Sequence, residues 1–354
     1  MKITRNASLD IIRAIAVYMV LCVHSIIFGG FMLEPISGLG GVAMTGFWVL
    51  SSCCVPLFLM LSGFLMNRKK FSVDYYLKYL YIFIPYFVIS CISLAYKACY
   101  LHEEMSLRIF ASHIMSFYGC EYAWYLMMYT GLYMLIPFLN SMYHSLESKR
   151  QKQLLIIFFA ALSHLPSLLN SYLYFYYVWF TRLYPFTFYF IGCYFSEYRP
   201  KYSAGKYLAC ILAFFAVFSV YDVFYIDGNP DKLPAFQYEH YQVLMLSVLV
   251  FCWGLKLNVE KIPKLFIKTT KTIAEFSFYV FLISGVTDNL VYKFAPEILP
   301  YFFEWDIYSP FTPLVSLAMS MLLSVLLYPV CEFLAAVSVK VLRGALTRFP
   351  VKTA

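Results

Sequence analysis

Long apolar runs, separated by more polar segments, recur along the whole chain. A helix needs about 20 apolar residues to cross a bilayer, and ten of the runs come near this length. The predicted spans are residues 9–31, 42–66, 79–101, 123–142, 153–170, 172–195, 206–226, 241–257, 273–292 and 310–338. The runs lack the alternation of membrane β-strands, and only helices and closed barrels satisfy the backbone in lipid. The pattern therefore predicts an all-α, polytopic membrane helical bundle with about ten transmembrane helices.

One segment between the predicted spans, residues 258–272, is basic and amphipathic. Such a segment is typical of a helix that lies along the membrane surface. Because the spans take up most of the chain, we expect one integral-membrane domain over residues 1–354 and no appended soluble domain.

Charged residues are few and unevenly placed. They make up 13% of the chain, against about 25% in a typical soluble domain. If the N-terminus is cytoplasmic, most of the 27 Lys and Arg residues fall in cytoplasmic segments, and the outer loops hold mostly acids. This is the positive-inside pattern, and it predicts that both termini are cytoplasmic. The positive-inside pattern thereby accounts for the net charge of +8, and we expect no nucleic-acid partner.

Two ionisable side chains, Arg13 and His24, interrupt the first predicted span. A cation at the centre of a membrane helix costs roughly 2.5–3.5 kcal/mol, so such residues are functional candidates by default. Eleven residues at about 100° each bring both side chains onto one helix face, about 16 Å apart along the axis. We expect this face to line a protein interior or a wet cavity that both side chains share.

His24 is the candidate catalytic base, because an imidazole titrates near neutral pH and can accept the proton of a hydroxyl. Arg13 lies nearer the cytoplasm, and Asp10, about one turn earlier, is expected to hold its guanidinium in place. The alternative is structural. In that interpretation the pair forms hydrogen bonds between helices, and Arg13 snorkels to the inner surface.

A second block, PLFLMLSGFLMNRKK, carries Ser62 and Gly63 followed by Arg68, Lys69 and Lys70. In one interpretation the small residues form a helix-packing notch and the cations set the topology. In the other, the block is the binding site of an anionic donor, and the three cations meet its phosphates.

Three further residues are candidates for the substrate path. Arg182 lies inside the sixth predicted span, where a buried cation is a functional candidate, although an ion pair with an acid such as Asp288 is a structural alternative. Trp124 and Tyr125 lie at the outer end of the fourth span. Aromatic residues at that depth also form interfacial belts, which is the alternative for this pair.

Several catalytic and metal-binding signatures are missing from the sequence. It has no GxSxG nucleophile elbow and no P-loop. The ten cysteines include no CxxC pair and no cysteine–histidine cluster with zinc spacing. Most of them lie in apolar runs, where a thiol acts as a small apolar filler. We therefore expect no metal site and no disulfide framework.

Four blocks of the sequence resemble, in order, those of the acyltransferase 3 family of integral-membrane acyltransferases. SLDIIRAIAVYMVLCVHS resembles the first helix of the family, and Arg13 and His24 match the family's arginine–histidine spacing. PLFLMLSGFLMNRKK, AWYLMMYTGLYMLIPFL and TRLYPFTFYFIGCY resemble the following blocks. Further on, SFYVFLIS resembles a stretch in which many members carry a histidine at the place of Ser284. Any role of that histidine is therefore missing or altered here.

The resemblance implies a multi-pass O-acyltransferase of the bacterial inner membrane, of the stand-alone type that acetylates surface glycans. Acetyl-CoA is then the donor substrate, no cofactor is permanently bound, and a glycan or lipid-linked sugar is the acceptor. The partners expected are acyl-CoA, this acceptor and membrane lipid. His24 acts either as a general base or as an acyl relay, and both routes stay open.

A transporter or flippase for a lipid-linked sugar or a small polar solute is the alternative function. Ten helices and buried cations suit such a protein equally well, and only the family blocks favour the transferase.

Overall fold

The computed structural model describes residues 6–31, 36–173, 180–227, 229, 238–298 and 312–348. The described part is helical apart from turns and connecting segments. Its helices are α1 (Ala7–Phe28), α2 (Gly38–Ser51), α3 (Cys54–Met66), α4 (Val73–Leu77), α5 (Leu80–Tyr100), α6 (Leu107–Met115), α7 (Trp124–His144), α8 (Lys149–Leu173), α9 (Tyr184–Glu197), α10 (Ala204–Ile226), α11 (Tyr241–Leu255), α12 (Lys264–Ile298) and α13 (Thr312–Arg348).

Six helical segments of the described chain are long and apolar enough to cross a membrane on their own. They are Ala7–Phe28, Gly38–Met66, Val73–Tyr100, Lys149–Leu169, Ala204–Tyr225 and Thr312–Leu346. These segments confirm a polytopic membrane helical bundle and coincide with six of the ten predicted spans. The other four predicted spans fall on α7, α9, α11 and α12. At about 1.5 Å per residue, α9 and α11 extend only about 21–22 Å, less than the roughly 30 Å of a bilayer core.

The sixth span, predicted at residues 172–195, does not form as one helix. Residues 174–179 lie outside the described part, and α9 begins only at Tyr184, after a single 3₁₀ turn at Thr181–Leu183. Pro185, in the first turn of α9, fixes this start, because proline suits the first helical positions and not a helix interior.

The predicted surface segment 258–272 is also wrong as a separate element. Residues from Lys264 onward belong to α12, one helix of 35 residues that continues to Ile298. At about 52 Å this helix is longer than a bilayer core. Its basic first turns are therefore continuous with the rest of α12, and their position along the membrane surface stays a prediction.

Helix α1 lies at the centre of the bundle and packs against α2, α3, α11, α12 and α13. Its start is fixed by Asn6, whose side-chain oxygen accepts a hydrogen bond of 3.0 Å from the backbone N–H of Ser8. On this central helix His24 is buried and Arg13 is partly buried.

Helices α3 and α9 approach each other until their backbones touch. A Cβ atom added at Gly63 would collide with the carbonyl oxygen of Tyr189, and one added at Gly192 would collide with that of Met60. Only glycine permits such an approach, as in other tightly packed membrane helices. This crossing places the end of α3 against the end of α9.

The two ends of the bundle differ in the residues they bring together. At the basic end, where α1 begins and α3 and α13 end, the guanidinium of Arg343 pairs with Asp74 at 2.7 Å, and Lys152 pairs with Glu197 at 2.7 Å. At the opposite end, α1 finishes beside the start of α7 and the second half of α12.

Candidate active site

His24 is buried against an aromatic ring and a carboxylate. Its ring stacks on that of Tyr122, with centroids 3.3 Å apart and an angle of 21° between the planes. Its Nδ1 atom lies 3.6 Å from Oδ2 of Asp288 on α12. The imidazole thus lies between the turn that precedes α7 and helix α12.

The carboxylate of Asp288 is fully buried and is held by hydroxyl groups. The hydroxyl of Tyr122 donates to Oδ2 at 3.0 Å, and that of Ser316 on α13 donates to Oδ1. One turn of α13 further on, Ser320 shares a hydrogen bond of 2.6 Å with Thr287. A buried carboxylate is costly unless it is hydrogen-bonded, and these contacts meet that condition.

This arrangement suits a base that takes a proton from a hydroxyl. A carboxylate facing Nδ1 favours the tautomer with the proton on Nδ1 and stabilises the imidazolium that forms on protonation. At 3.6 Å, Nδ1 faces this carboxylate as a charge partner but makes no hydrogen bond to a described residue, and Nε2 makes none either. Because Nδ1 faces Asp288, Nε2 is the ring nitrogen left to accept a proton from a substrate.

A cavity of about 340 Å³ lies between α1, α3, α5, α7 and α12, nearer the basic end. Most of its wall is apolar. Six side chains of polar or amphipathic residues also line it: Arg13, Ser62, Tyr125, Tyr129, Glu275 and Ser277. We call this space the central cavity. It is a largely apolar passage with a guanidinium in its wall, which suits a slender molecule with a few polar groups.

Arg13 and His24 both face α12 and the segment made of α7 and the turn before it, as their shared helix face predicts. Arg13 lines the central cavity together with residues of both helices, and His24 contacts Tyr122 and Asp288. The cavity reaches Val20, one turn of α1 before His24, but its lining does not include His24. A single tunnel that reaches both side chains stays a prediction.

A second pocket, of about 410 Å³, opens at the basic end. It is lined by Asn67, Arg68, Lys69, Lys70, Asn140, Ser141 and His144. The structure thus gathers the three cations of the sequence motif around one space, which we call the basic pocket. It adjoins the central cavity along the chain, because Met66 lines the cavity and Asn67 lines the pocket.

The turn that carries these cations is held by Asn140 of α7. Its side-chain nitrogen donates to the carbonyls of Met66 and Lys69, both at 2.8 Å, and its oxygen accepts from the hydroxyl of Tyr189 at 2.6 Å. Asn140 is itself buried. Nε2 of His144 adds a contact of 2.7 Å to the carbonyl oxygen of Asn67. The cations therefore project from a fixed turn.

One comparison gives a clear result. The family model described as an acyltransferase domain matches residues 6–329, which is nearly the whole chain. The chain belongs to the acyltransferase 3 family. No match is found among the curated proteins or the solved structures. Membership makes this protein a membrane acyltransferase, and the matched region contains His24, Asp288, the central cavity and the basic pocket.

Two predicted donor-site residues of this acyltransferase lie at different places in the helix crossing. Ser62 lines the central cavity, and its hydroxyl donates to the carbonyl of Phe58 at 2.9 Å. Gly63 lies against the backbone of Tyr189, so the predicted packing notch accounts for it. A direct contact between Gly63 and a donor stays a prediction.

Arg182 is exposed, contrary to the expectation of a buried cation. The reason is the late start of α9, which leaves Arg182 in the preceding 3₁₀ turn and outside the helix. The alternative pairing of Arg182 with Asp288 is also not formed, because that carboxylate pairs with His24.

Of the remaining candidates, only Tyr125 lines one of the two cavities. Tyr125 lines the central cavity, and Trp124, 39% exposed, stacks on Tyr238 at 5.4 Å. Asp10 is buried in the first turn of α1. Ser284 is fully buried one turn before Asp288 and donates to the carbonyl of Phe281 in its own helix at 2.9 Å.

The sequence analysis missed three residues of this acyltransferase site. Asp288 was considered only as a partner for Arg182, although an acid within a spanning segment is itself a functional signal. Tyr122 and Asn140 carry no comparable signal, because tyrosine and asparagine are common at helix ends. Their roles come only from contacts in the folded chain: Tyr122, in the turn before α7, contacts His24 and Asp288, and Asn140 holds the turn after α3.

Proposed function

We propose that this acyltransferase moves an acetyl group from acetyl-CoA, bound from the cytoplasm, to a hydroxyl of a surface or lipid-linked glycan on the other side of a bacterial inner membrane. The observation that carries the proposal is the buried pairing of His24 with Asp288, set above a cavity that holds Arg13 and adjoins the basic pocket. The parts lie in the order that a transfer across the membrane needs.

The donor would bind at the basic end. Its phosphates carry negative charge, and Arg68, Lys69 and Lys70 supply matching cations on a fixed turn. The uncharged pantetheine arm would extend past Ser62 into the central cavity. This path brings the thioester toward the turn of α1 that precedes His24.

The reaction would take place at Nε2 of His24. The acceptor hydroxyl loses its proton to Nε2 as its oxygen attacks the thioester carbon, and Asp288 stabilises the imidazolium. The carbon–sulfur bond then breaks, and the proton passes to the departing thiolate to give free CoA. In the alternative route, Nε2 attacks the thioester carbon first, and the carbon–sulfur bond breaks to release CoA thiolate. The acceptor oxygen then attacks the acyl-imidazole, the bond from carbon to Nε2 breaks, and the hydroxyl proton passes to the thiolate. Both routes balance and need no bound cofactor or metal.

Arg13 would act on the donor side of this reaction. Its guanidinium lies in the wall of the central cavity opposite Ser62 and Tyr129. A fixed positive group in a dry site stabilises charge that develops on a thioester oxygen, and it also orients the donor.

The proposed orientation follows from the charges. The start of α1 and the ends of α3 and α13 lie together at the basic end of the bundle. Positively charged segments stay on the cytoplasmic side of bacterial membranes. Both termini would then be cytoplasmic, and His24 would lie in the outer half of the bilayer. The prediction of a single domain over residues 1–354 forms part of this proposal.

Reconstitution in sealed liposomes tests the proposal. Acetyl-CoA labelled on the acetyl group is supplied only at the basic face, and envelope glycan is enclosed or added on the other side. Label on the glycan and free CoA thiol on the donor side are expected. A protein that moves glycan or solute across the liposome without consuming acetyl-CoA would instead be a transporter and would overturn the proposal.

A further inference from the structure

A third pocket, of about 510 Å³, opens on the side of the bundle at the basic end, where α13 passes the start of α5. It is lined by Lys78, Tyr81, Ala336, Val339, Lys340, Arg343 and Gly344. We call it the lateral pocket. It shares no lining residue with the basic pocket or the central cavity.

The lateral pocket carries a net positive charge. Its three cations are Lys78, Lys340 and Arg343, and the acid paired with them is Asp74, which binds Arg343 at 2.7 Å. Neither lysine forms an ion pair with any residue in the described part of the chain. Two positive charges are thus left to attract an anion.

An exposed apolar track runs from the pocket along α13. Leu326, Phe333 and Lys340 are spaced by seven residues, so they share one face of the helix. Leu326 is 63% exposed and Phe333 is 67% exposed. In a spanning helix these side chains meet acyl chains, and Lys340 lies about 10 Å further along the axis than Phe333, toward the headgroups. The surface is therefore complementary to a phospholipid: its cations lie toward the headgroups, and its exposed apolar side chains lie beside the acyl chains.

The lateral pocket lies largely outside the region shared with the family. The family match ends at residue 329, and five of the seven lining residues follow it on α13. The pocket is therefore formed mainly by residues that the family match does not cover.

We propose that the lateral pocket binds the headgroup of an anionic phospholipid of the phosphatidylglycerol type from the leaflet at the basic end. Basic pockets between membrane helices on the cytoplasmic side suit such headgroups. A lipid is favoured over a soluble phosphate because the pocket continues into the exposed track of α13. The inference does not depend on the proposed acyl-transfer reaction.

Native mass spectrometry of the purified full-length protein tests the proposal. The probe is phosphatidylglycerol, with phosphatidylcholine of the same chain length as the neutral comparison. The wild type should retain one phosphatidylglycerol in preference to phosphatidylcholine. The double variant Lys78→Gln/Lys340→Gln should bind it about 30-fold more weakly, since two surface cations are lost. The variant Lys78→Arg/Lys340→Arg should keep the binding.

The matched control is the double variant Lys201→Gln/Lys256→Gln. It removes the same amount of positive charge as the test variant, but from two exposed lysines elsewhere on the chain. It should retain the lipid. An equal loss of phosphatidylglycerol binding in the control and the test variant would show that binding depends only on net charge, and it would overturn the proposed site. Displacement of the lipid by free CoA would also overturn it, because the pocket would then be a nucleotide site.

Discussion

The imidazole of His24 and the carboxylate of Asp288 meet inside the bundle, with Nδ1 and Oδ2 3.6 Å apart. They come from the first and the twelfth helix, and no aqueous surface separates them, because Asp288 is fully buried and His24 is 9% exposed. Burial of the carboxylate costs desolvation energy, which its hydrogen bonds from Tyr122 and Ser316 offset. An acid inside a spanning segment is a functional candidate, and its proposed role of orienting His24 gives the following prediction.

Asp288→Asn should lower the acetyl-transfer rate by about 10²- to 10⁴-fold, because an amide can hold the wrong tautomer of His24 and gives the imidazolium no charge partner. The measurement is the initial rate of CoA thiol release by purified protein. Ser320→Ala is the matched control, since Ser320 hydrogen-bonds Thr287 and not Asp288. A rate for Asp288→Asn within twofold of this control would contradict the role of Asp288.

Tyr122→Phe separates the two contacts that Tyr122 makes. The phenylalanine keeps the ring stacked on His24 and removes the hydrogen bond of 3.0 Å to Asp288. A hydrogen bond to a charged group contributes about 1.5–3 kcal/mol, so the rate should fall by about tenfold or more. Tyr122→Leu removes both contacts, so its rate should fall further. Steady-state rates of the two variants, compared at equal amounts of folded protein, check this order, and equal rates would argue against a role for the stacked ring.

Arg13→Lys should impair the enzyme by at least tenfold, because a planar guanidinium is not replaced by a point charge. Arg13 lines the central cavity, so the loss should appear with acetyl-CoA as the varied substrate. Arg108→Lys, at an exposed position of α6, is the control and should be silent. Unchanged kinetics of Arg13→Lys would show that a charge alone suffices there.

Asn140→Asp should weaken donor binding without changing the chemical step. A carboxylate cannot donate to the carbonyls of Met66 and Lys69, so the turn that carries the cations loses the two hydrogen bonds that hold it. We expect KM for acetyl-CoA to rise about tenfold while kcat stays within twofold. Ser145→Ala is the control just after α7, since Ser145 does not line the basic pocket and its hydroxyl bonds only the nearby carbonyl of Met142. A fall in kcat with unchanged KM would contradict this positioning role.

Gly63→Ala should destabilise the fold by about 1–3 kcal/mol, because the new methyl group meets the carbonyl of Tyr189. Gly131→Ala, in an open position of α7, should instead be neutral or stabilising by up to about 1 kcal/mol. Thermal unfolding in detergent measures both. A Gly63→Ala protein as stable as the Gly131→Ala protein would show that the close crossing of α3 and α9 is not required.

Much of the fold follows from the sequence because long apolar runs have few ways to satisfy their backbone in lipid. The ends of helices follow less well. The stretch around residues 172–183 is apolar and rich in tyrosine, so hydropathy gives no boundary, and Pro185 was the local signal for the start of α9.

The candidate site, like the fold, could be predicted from the sequence only in part. Arg13 and His24 stand out because each is an ionisable group within an apolar run. Asp288 carries the same signal, but its pairing with His24 cannot be predicted, because it depends on how α1 packs against α12 and no local spacing encodes that contact. Arg182 shows the converse: an ionisable residue within an apolar run that the folded chain leaves exposed.

The most direct test of the proposed reaction is the rate of acetyl transfer by His24→Ala, measured with labelled acetyl-CoA and envelope glycan in the same reconstituted membranes as the wild type. The variant should insert, unfold at a temperature close to that of the wild type, and transfer acetyl groups at least 10²-fold more slowly. Transfer by a folded His24→Ala protein at the wild-type rate would contradict the assignment of His24 as the group that activates the acceptor or carries the acyl group.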